Sequence, residues 1–243
     1  MMIKKFYIAV FLLLTIQMFC QEEKYAISDF DDAYLNEMKI ENSELSSRIK
    51  TFPQNIQNLN KQVSQAIRAD DDSKALQIAF QMNKLYPNNA DIKNFIGKKS
   101  AQALDYKTAL NYFDEAIKIN PKNKWFYINK ASVQAEENQL QEAIKTIEKL
   151  NNLYPNWSIG HNFKAGLLHS LKKDDQALKA YDLAIKVTPK SAQIFTNRAD
   201  LLLKLHRESE AISDYKKALQ IQPDYSPAKE KLKAVQKIVI SEN

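Results

Sequence analysis

The sequence predicts an all-α chain of stacked helical hairpins, and three observations predict it. Six of its seven prolines, Pro53, Pro87, Pro121, Pro155, Pro189 and Pro223, stand 34 residues apart. Alanines keep the same phase, with Ala75, Ala109, Ala143, Ala177 and Ala211 each 12 residues before one of the last five of those prolines. The 243 residues include only 3 Gly and 1 Cys. That is too little glycine for Gly-rich phosphate loops or the tight turns of an all-β fold, and too little cysteine for an internal disulfide or a four-cysteine zinc site.

Taken from the N-terminus, Lys4 and Lys5 precede a run of 14 mostly apolar residues, Phe6 to Phe19, which ends at Cys20 before polar Gln21. As a helix this run spans about 21 Å at roughly 1.5 Å per residue, short of the ~30 Å hydrocarbon core. Residues 1–20 therefore read as a secretory signal peptide, which places the mature chain in the periplasm or outside the cell. The alternative is an outer-membrane lipoprotein with Cys20 lipidated, the one route by which the chain would meet a membrane. Bulky Phe19 directly before the thiol speaks against that route.

Residues 21–55 form an acidic arm with 4 basic and 8 acidic side chains, whereas residues 56–243 hold 29 basic and 21 acidic ones. Electrostatic attraction between the arm and the basic remainder is one expectation, independent solvated surfaces the other. Within the arm Ser28 and Asp31 resemble a capping box. Phe30, Tyr34 and Met38 are followed by Leu45, Ile49 and Phe52, which predicts two short amphipathic helices acting as a cap or degenerate repeat. Without residues 1–20 the net charge is +4, too mild to imply nucleic acid.

From residue 56 the phase governs everything. Gly97, Ala131, Ala165 and Ala199 share one column, Ala116, Ala184 and Ala218 another, and Phe113, Ile147, Tyr181 and Tyr215 a large one. Small residues at fixed helical places let two backbones approach until neighbouring large side chains interlock. Each proline follows a second helix, where it cannot continue the hydrogen-bond ladder. At the far end Ser226-Pro227 opens a last helix over residues 226–243, whose Leu232, Val235 and Val239 face the array while Lys229, Lys231, Lys233 and Lys237 stay in water.

These columns resemble the tetratricopeptide-repeat family. Five units fit, 56–89, 90–123, 124–157, 158–191 and 192–225, and cover 170 residues. The first and third depart from the pattern, because Val63, Met82 and Leu150 stand at small-residue places and imply wider helix spacing. In the arm the three small-residue places hold Asp29, Glu41 and Arg48. The resemblance implies a right-handed α-solenoid whose first helices line a concave groove suited to a peptide or a partner helix.

The resemblance also assigns groove-facing places, and Asn94, Lys98, Trp125, Ile128, Asn129, Asn162, Phe163 and Asn197 are the candidates for peptide binding. Asparagine donates to and accepts from a peptide backbone at once, while Trp125 and Phe163 offer apolar anchors. The bland reading is that the aromatics simply pack between helices. Some family members grip chaperone C-termini with a clamp spread over three units. Here Asn94, Lys98 and Asn129 begin such a pattern, but Ile159 and Phe163 occupy the third-unit places.

Chemistry finds little support. His161 sits at a packing place, and His206 with Glu210 falls in a turn, so neither reads as a metal ligand. Asp70-Asp71-Asp72 and Asp174-Asp175 precede second helices, where carboxylates cap free N–H groups. No nucleophile, base and orienter are brought together. The expectation is a noncatalytic exported adaptor that binds a peptide or protein, with no cofactor or metal. The alternative is a structural component of a cell-envelope assembly, using its convex face or the Ile238-Val239-Ile240 end. Nothing in the sequence fixes the oligomeric state.

Overall fold

The computed structural model describes residues 30–241, with side chains to residue 236. The expected export signal, Cys20 and Ser28 lie outside these limits, as do the side chains of Lys237, Ile238, Val239 and Ile240. The described residues form twelve α-helices and no strand. After α1 (Asp32–Lys50) come five pairs: α2 (Gln54–Arg68) with α3 (Asp72–Leu85), α4 (Ala90–Gln102) with α5 (Tyr106–Ile119), α6 (Lys124–Glu136) with α7 (Leu140–Leu153), α8 (Ser158–Ser170) with α9 (Asp174–Val187), and α10 (Ala192–Lys204) with α11 (Glu208–Ile221). Helix α12 (Ser226–Ser241) closes the order. The fold class is an α-solenoid of helix-turn-helix repeats with a terminal helix.

The described chain divides into two compact units, one of residues 38–153 and one of residues 30–37 with 154–241. In the first, α3 packs on α4 and α5 on α6; in the second, α9 packs on α10 and α11 on α12. The alanine columns form the contacts. Ala109, Ala143, Ala177 and Ala211 are fully buried, as are Ala116, Ala131, Ala165, Ala184, Ala199 and Ala218. Phe113 lies so close to Gly97 that a Cβ there would stand 2.7 Å from its ring. Where larger residues replace the small ones, at Val63 with Met82 and at Leu150, the helices of the pair are less closely apposed than in α4–α5, α8–α9 or α10–α11.

Each pair turns through one residue with positive φ: Asp70, Leu104, Asn138, Lys172 and His206, at 56° to 63° and 34 positions apart. The next N–H then reaches back five residues, as from Asp105 to the Ser100 carbonyl at 2.9 Å and from Gln139 to that of Gln134 at 2.7 Å. This is a Schellman closure made without glycine, which is how a glycine-poor chain manages five tight turns. First helices open on a cap column in the same phase. The side chains of Asn89, Asn123 and Ser191 accept from the N–H groups of Ile92, Trp125 and Ile194. A second recurring device ties α6 and α8 to the turns before them. Tyr127 Oη donates to the Pro121 carbonyl at 3.0 Å, and His161 Nε2 to that of Pro155 at 2.8 Å.

Three details differ from the sequence reading. The arm holds one helix instead of two, because residues 32–50 contain neither Pro nor Gly to interrupt it. Asp31 is not the downstream member of a capping box but the cap itself, its Oδ1 accepting from the Tyr34 N–H at 2.8 Å. Asp71 caps α3 as expected, but α9 starts one residue earlier than capping by Asp174 requires. Its N-cap is Lys173, without a side-chain cap bond, which leaves the Asp174 carboxylate for His169 at 2.6 Å.

Candidate functional site

In the first unit, residues 38–50 of α1 lie against the N-terminal part of α4 and the start of α6 through one connected polar network. Arg48 forks onto Asp91, Nε to Oδ2 at 2.9 Å and Nη2 to Oδ1 at 3.0 Å. Its Nη2 also reaches Glu41 Oε1 at 2.9 Å. That same oxygen accepts from Asn123 Nδ2 at 2.9 Å, while Asn123 Oδ1 caps α6 through the Trp125 N–H. Planar guanidinium and carboxylate groups match in such two-pronged contacts, which are the stronger ion pairs. Burial pushes the Glu41 carboxyl above its ordinary value, partly offset by the Asn123 hydrogen bond and by Arg48.

Beneath this network sit the predicted groove residues of α4 and α6. Asn94 Oδ1 accepts from Asn129 Nδ2 at 2.9 Å, and both residues are buried. Lys98 is 5% exposed, and among the described residues no carboxylate lies within ion-pairing distance of its amine. Burial, reinforced by the charge of Lys99 and opposed by Glu41, lowers its pKa to about 7. Trp125 is buried, and Ile128 is wholly enclosed at 0% exposure, so it acts as core.

In the second unit the first residues of α1 meet the N-terminal ends of α8 and α10. Asp31 is 1% exposed; its Oδ2 accepts from Ser191 Oγ at 2.5 Å and from the Gln193 N–H at 3.0 Å. Trp157 Nε1 donates to Glu37 Oε2 at 2.7 Å, and the Asp32 N–H to Gln222 Oε1 at 3.2 Å. A cavity of about 100 Å³ opens here, lined among others by Tyr34, Glu37, Ser158, Asn162 and Gln193. Asn197 Nδ2 donates to Asn162 Oδ1 at 3.0 Å, so an asparagine pair recurs at the same phase as Asn94 with Asn129. Phe163 is buried, while Asn197 is half-buried.

Sequence reasoning thus named asparagines that pair on the first helices but not the residues that hold α1: Asp31, Glu37, Glu41, Arg48, Asn123, Trp157 and Ser191. A signal was present. Glu41 and Arg48 are charged residues at places that take small residues elsewhere, and Asn123, Trp157 and Ser191 share the cap column, 34 residues apart. The acidic arm does meet the array in the first unit, but not by bulk charge, since its Arg48 seeks the array's Asp91. Elsewhere, Lys204 Nζ donates to His169 Nε2 at 3.0 Å, and Asp174 fixes the other ring nitrogen. His206 is exposed, and Glu210 pairs with Arg207 at 2.6 Å. Among the described residues no three His, Cys, Asp or Glu side chains are grouped to hold a metal ion, and no helix is long and apolar enough to cross a membrane.

Fold and site together define a helical-repeat protein whose first helices carry a recurring polar face. Profiles described as tetratricopeptide repeat match residues 101–167 and 175–226. Over these two stretches the chain carries tetratricopeptide repeats. It is 34% identical over 98 residues to the heat shock protein sti1 homolog of Schizosaccharomyces pombe, covering 40% of this chain and 17% of that one. To the Hsp70-Hsp90 organizing protein of Triticum aestivum it is 25% identical over 127 residues, 52% of this chain and 22% of that one. The chain therefore spans about a fifth of the length of these relatives. Among solved structures, yeast Tom70 superposes with a TM-score of 0.64 at 26% identity, over 76% of this chain and 41% of that one.

Proposed function

We propose that the chain is a noncatalytic adaptor that holds a segment of a protein partner against the first helices of its repeats. The observation that carries this reading is that these helices already hold a helix. In each unit a stretch of α1 is fixed by side chains from the first helices and their caps, Asp91 and Asn123 in one and Trp157 and Ser191 in the other. Regularly spaced asparagines and cap residues suit such a ligand, because they meet backbone and carboxylate groups at fixed intervals. The names of the relatives speak of proteins that organise other proteins, which supports a protein partner. Capture of chaperone tails by the three-unit clamp is not part of the proposal, since Ile159 and Phe163 stand at its third-unit places. Export rests on residues 1–20 and joins the proposal on that basis.

Trp125 and Asn129 are 3% and 2% exposed, so truncating them would open the core as well as the face. The test therefore uses a photo-crosslinking residue at Gln102 on α4 or Glu136 on α6, with Lys118 on the exposed side of α5 as control, in full-length protein among envelope and exported fractions. Capture of one discrete partner from the first-helix positions, and not from Lys118, is the expected result. Capture from Lys118 alone would assign binding to the outer face and an assembly role. No capture from any position would remove the adaptor reading.

A further inference from the structure

We propose that the face of α4 and α6 beneath residues 38–50 of α1 is an exchangeable helix-docking surface. The partner that takes it is an α-helix carrying a glutamate or aspartate and, seven residues later, an arginine. This rests on the adaptor reading above and specifies both its partner and what the partner must displace. Residues seven apart lie on one helical face, and Glu41 with Arg48 are the pair that Asn123 and Asp91 receive. The code is thus written in the occupant.

Three features make this occupant replaceable instead of integral. First, the only buried side chain between residues 38 and 50 is Glu41; Met38, Leu45 and Ile49 are half-buried, and Ile40 is 53% exposed. A helix held by its apolar stripe shows the reverse pattern. Second, the α1 backbone stays further from α4 and α6 than α5 does from α4, because Glu41 and Arg48 fill places where alanine permits close approach. Third, Lys98 remains buried beneath it without an ion-pair partner among the described residues, so α1 leaves part of the surface chemistry unmet. Phe52 is buried in the core beside Ile56 and Ile78, so a released α1 stays tethered and competes at the high effective concentration of an intramolecular ligand. The apparent affinity of a partner then falls with the fraction of open surface.

The probe is a fluorescent synthetic peptide of residues 38–50, capped at both ends, titrated by anisotropy against the full chain. The Glu41→Ala/Arg48→Ala chain, whose own occupant is weakened, should bind it at least tenfold more tightly than the unsubstituted chain, and adding Asp91→Ala should abolish that gain. Equal binding by all three, or binding by none, overturns the proposal. Hydrogen exchange supplies a second measurement that needs only the mild variant Arg48→Ala. Amides of residues 42–50 should exchange at least tenfold faster than in the unsubstituted chain while those of residues 94–102 stay unchanged; a parallel rise in both sets overturns it. The two proposals fail separately. A partner crosslinked from Gln102 while α1 does not exchange leaves the adaptor standing and removes the exchange, and an exchanging peptide without any crosslinked partner does the opposite.

Discussion

Two glycines on first helices show how much a single Cβ decides. Gly97 faces the ring of fully buried Phe113, with ring atoms 2.7 and 2.8 Å from where a Cβ would stand, whereas nothing lies within 4 Å of the equivalent point at Gly166. Alanine favours a helix over glycine by roughly 1 kcal/mol, while overpacking costs about 1 to 3 kcal/mol. Gly97→Ala should therefore lower stability by about 1 kcal/mol, and Gly166→Ala should raise it by up to about 1 kcal/mol, both read by chemical denaturation. Lys98 makes a second residue-scale prediction. Its folded pKa of about 7 lies below the unfolded value, so above about pH 7 and up to the unfolded pKa the unfolded chain binds more protons. Stability then rises with pH across that window, by at most about 1.4 kcal/mol per pH unit, and levels off below it. Lys98→Met should flatten the rise, and an unchanged pH profile would show that the amine is solvated.

Among the elements, each second helix is defined by one buried face, as with Ala109, Phe113 and Ala116 on α5 and Ala177, Tyr181 and Ala184 on α9. Ala177→Leu should cost roughly 1 to 3 kcal/mol because the site is fully enclosed, while Lys179→Leu on the same helix, at an exposed position, should cost little. Equal shifts in melting temperature would contradict the packing. The hairpins were legible because these columns encode contacts between neighbours in sequence, and such contacts repeat wherever the residues repeat. The turns were less so. Leu104 and Asn138 adopt the left-handed conformation that usually marks glycine, and only the hydrogen bonds that close each turn reveal why they are tolerated. Helix α1 was misread as two helices because its apolar stripe breaks between Met38 and Leu45, although nothing there breaks a helix.

For the whole chain, the five-hairpin order could be read from the period and the terminal helix from Ser226-Pro227, whereas the division into two units at residue 153 could not. No sequence column marks that division, since Pro155 and its neighbours keep the common phase. The candidate face was half legible. Asn94, Asn129, Asn162 and Asn197 were placed by resemblance and do pair on first helices, but what rests against that face is specified by single residues such as Arg48, which no repetition announces. Contacts that occur once leave no periodic trace.

One of those contacts sets an order of events during synthesis. The acceptor Asp31 waits for Ser191 and Gln193, which lie 160 and 162 residues downstream. At a translation rate of about 5 to 20 residues per second, roughly 8 to 30 s separate their emergence from the ribosome. For that interval the first turn of α1 has no seat, so it cannot dock in its unit before the start of α10 has been made.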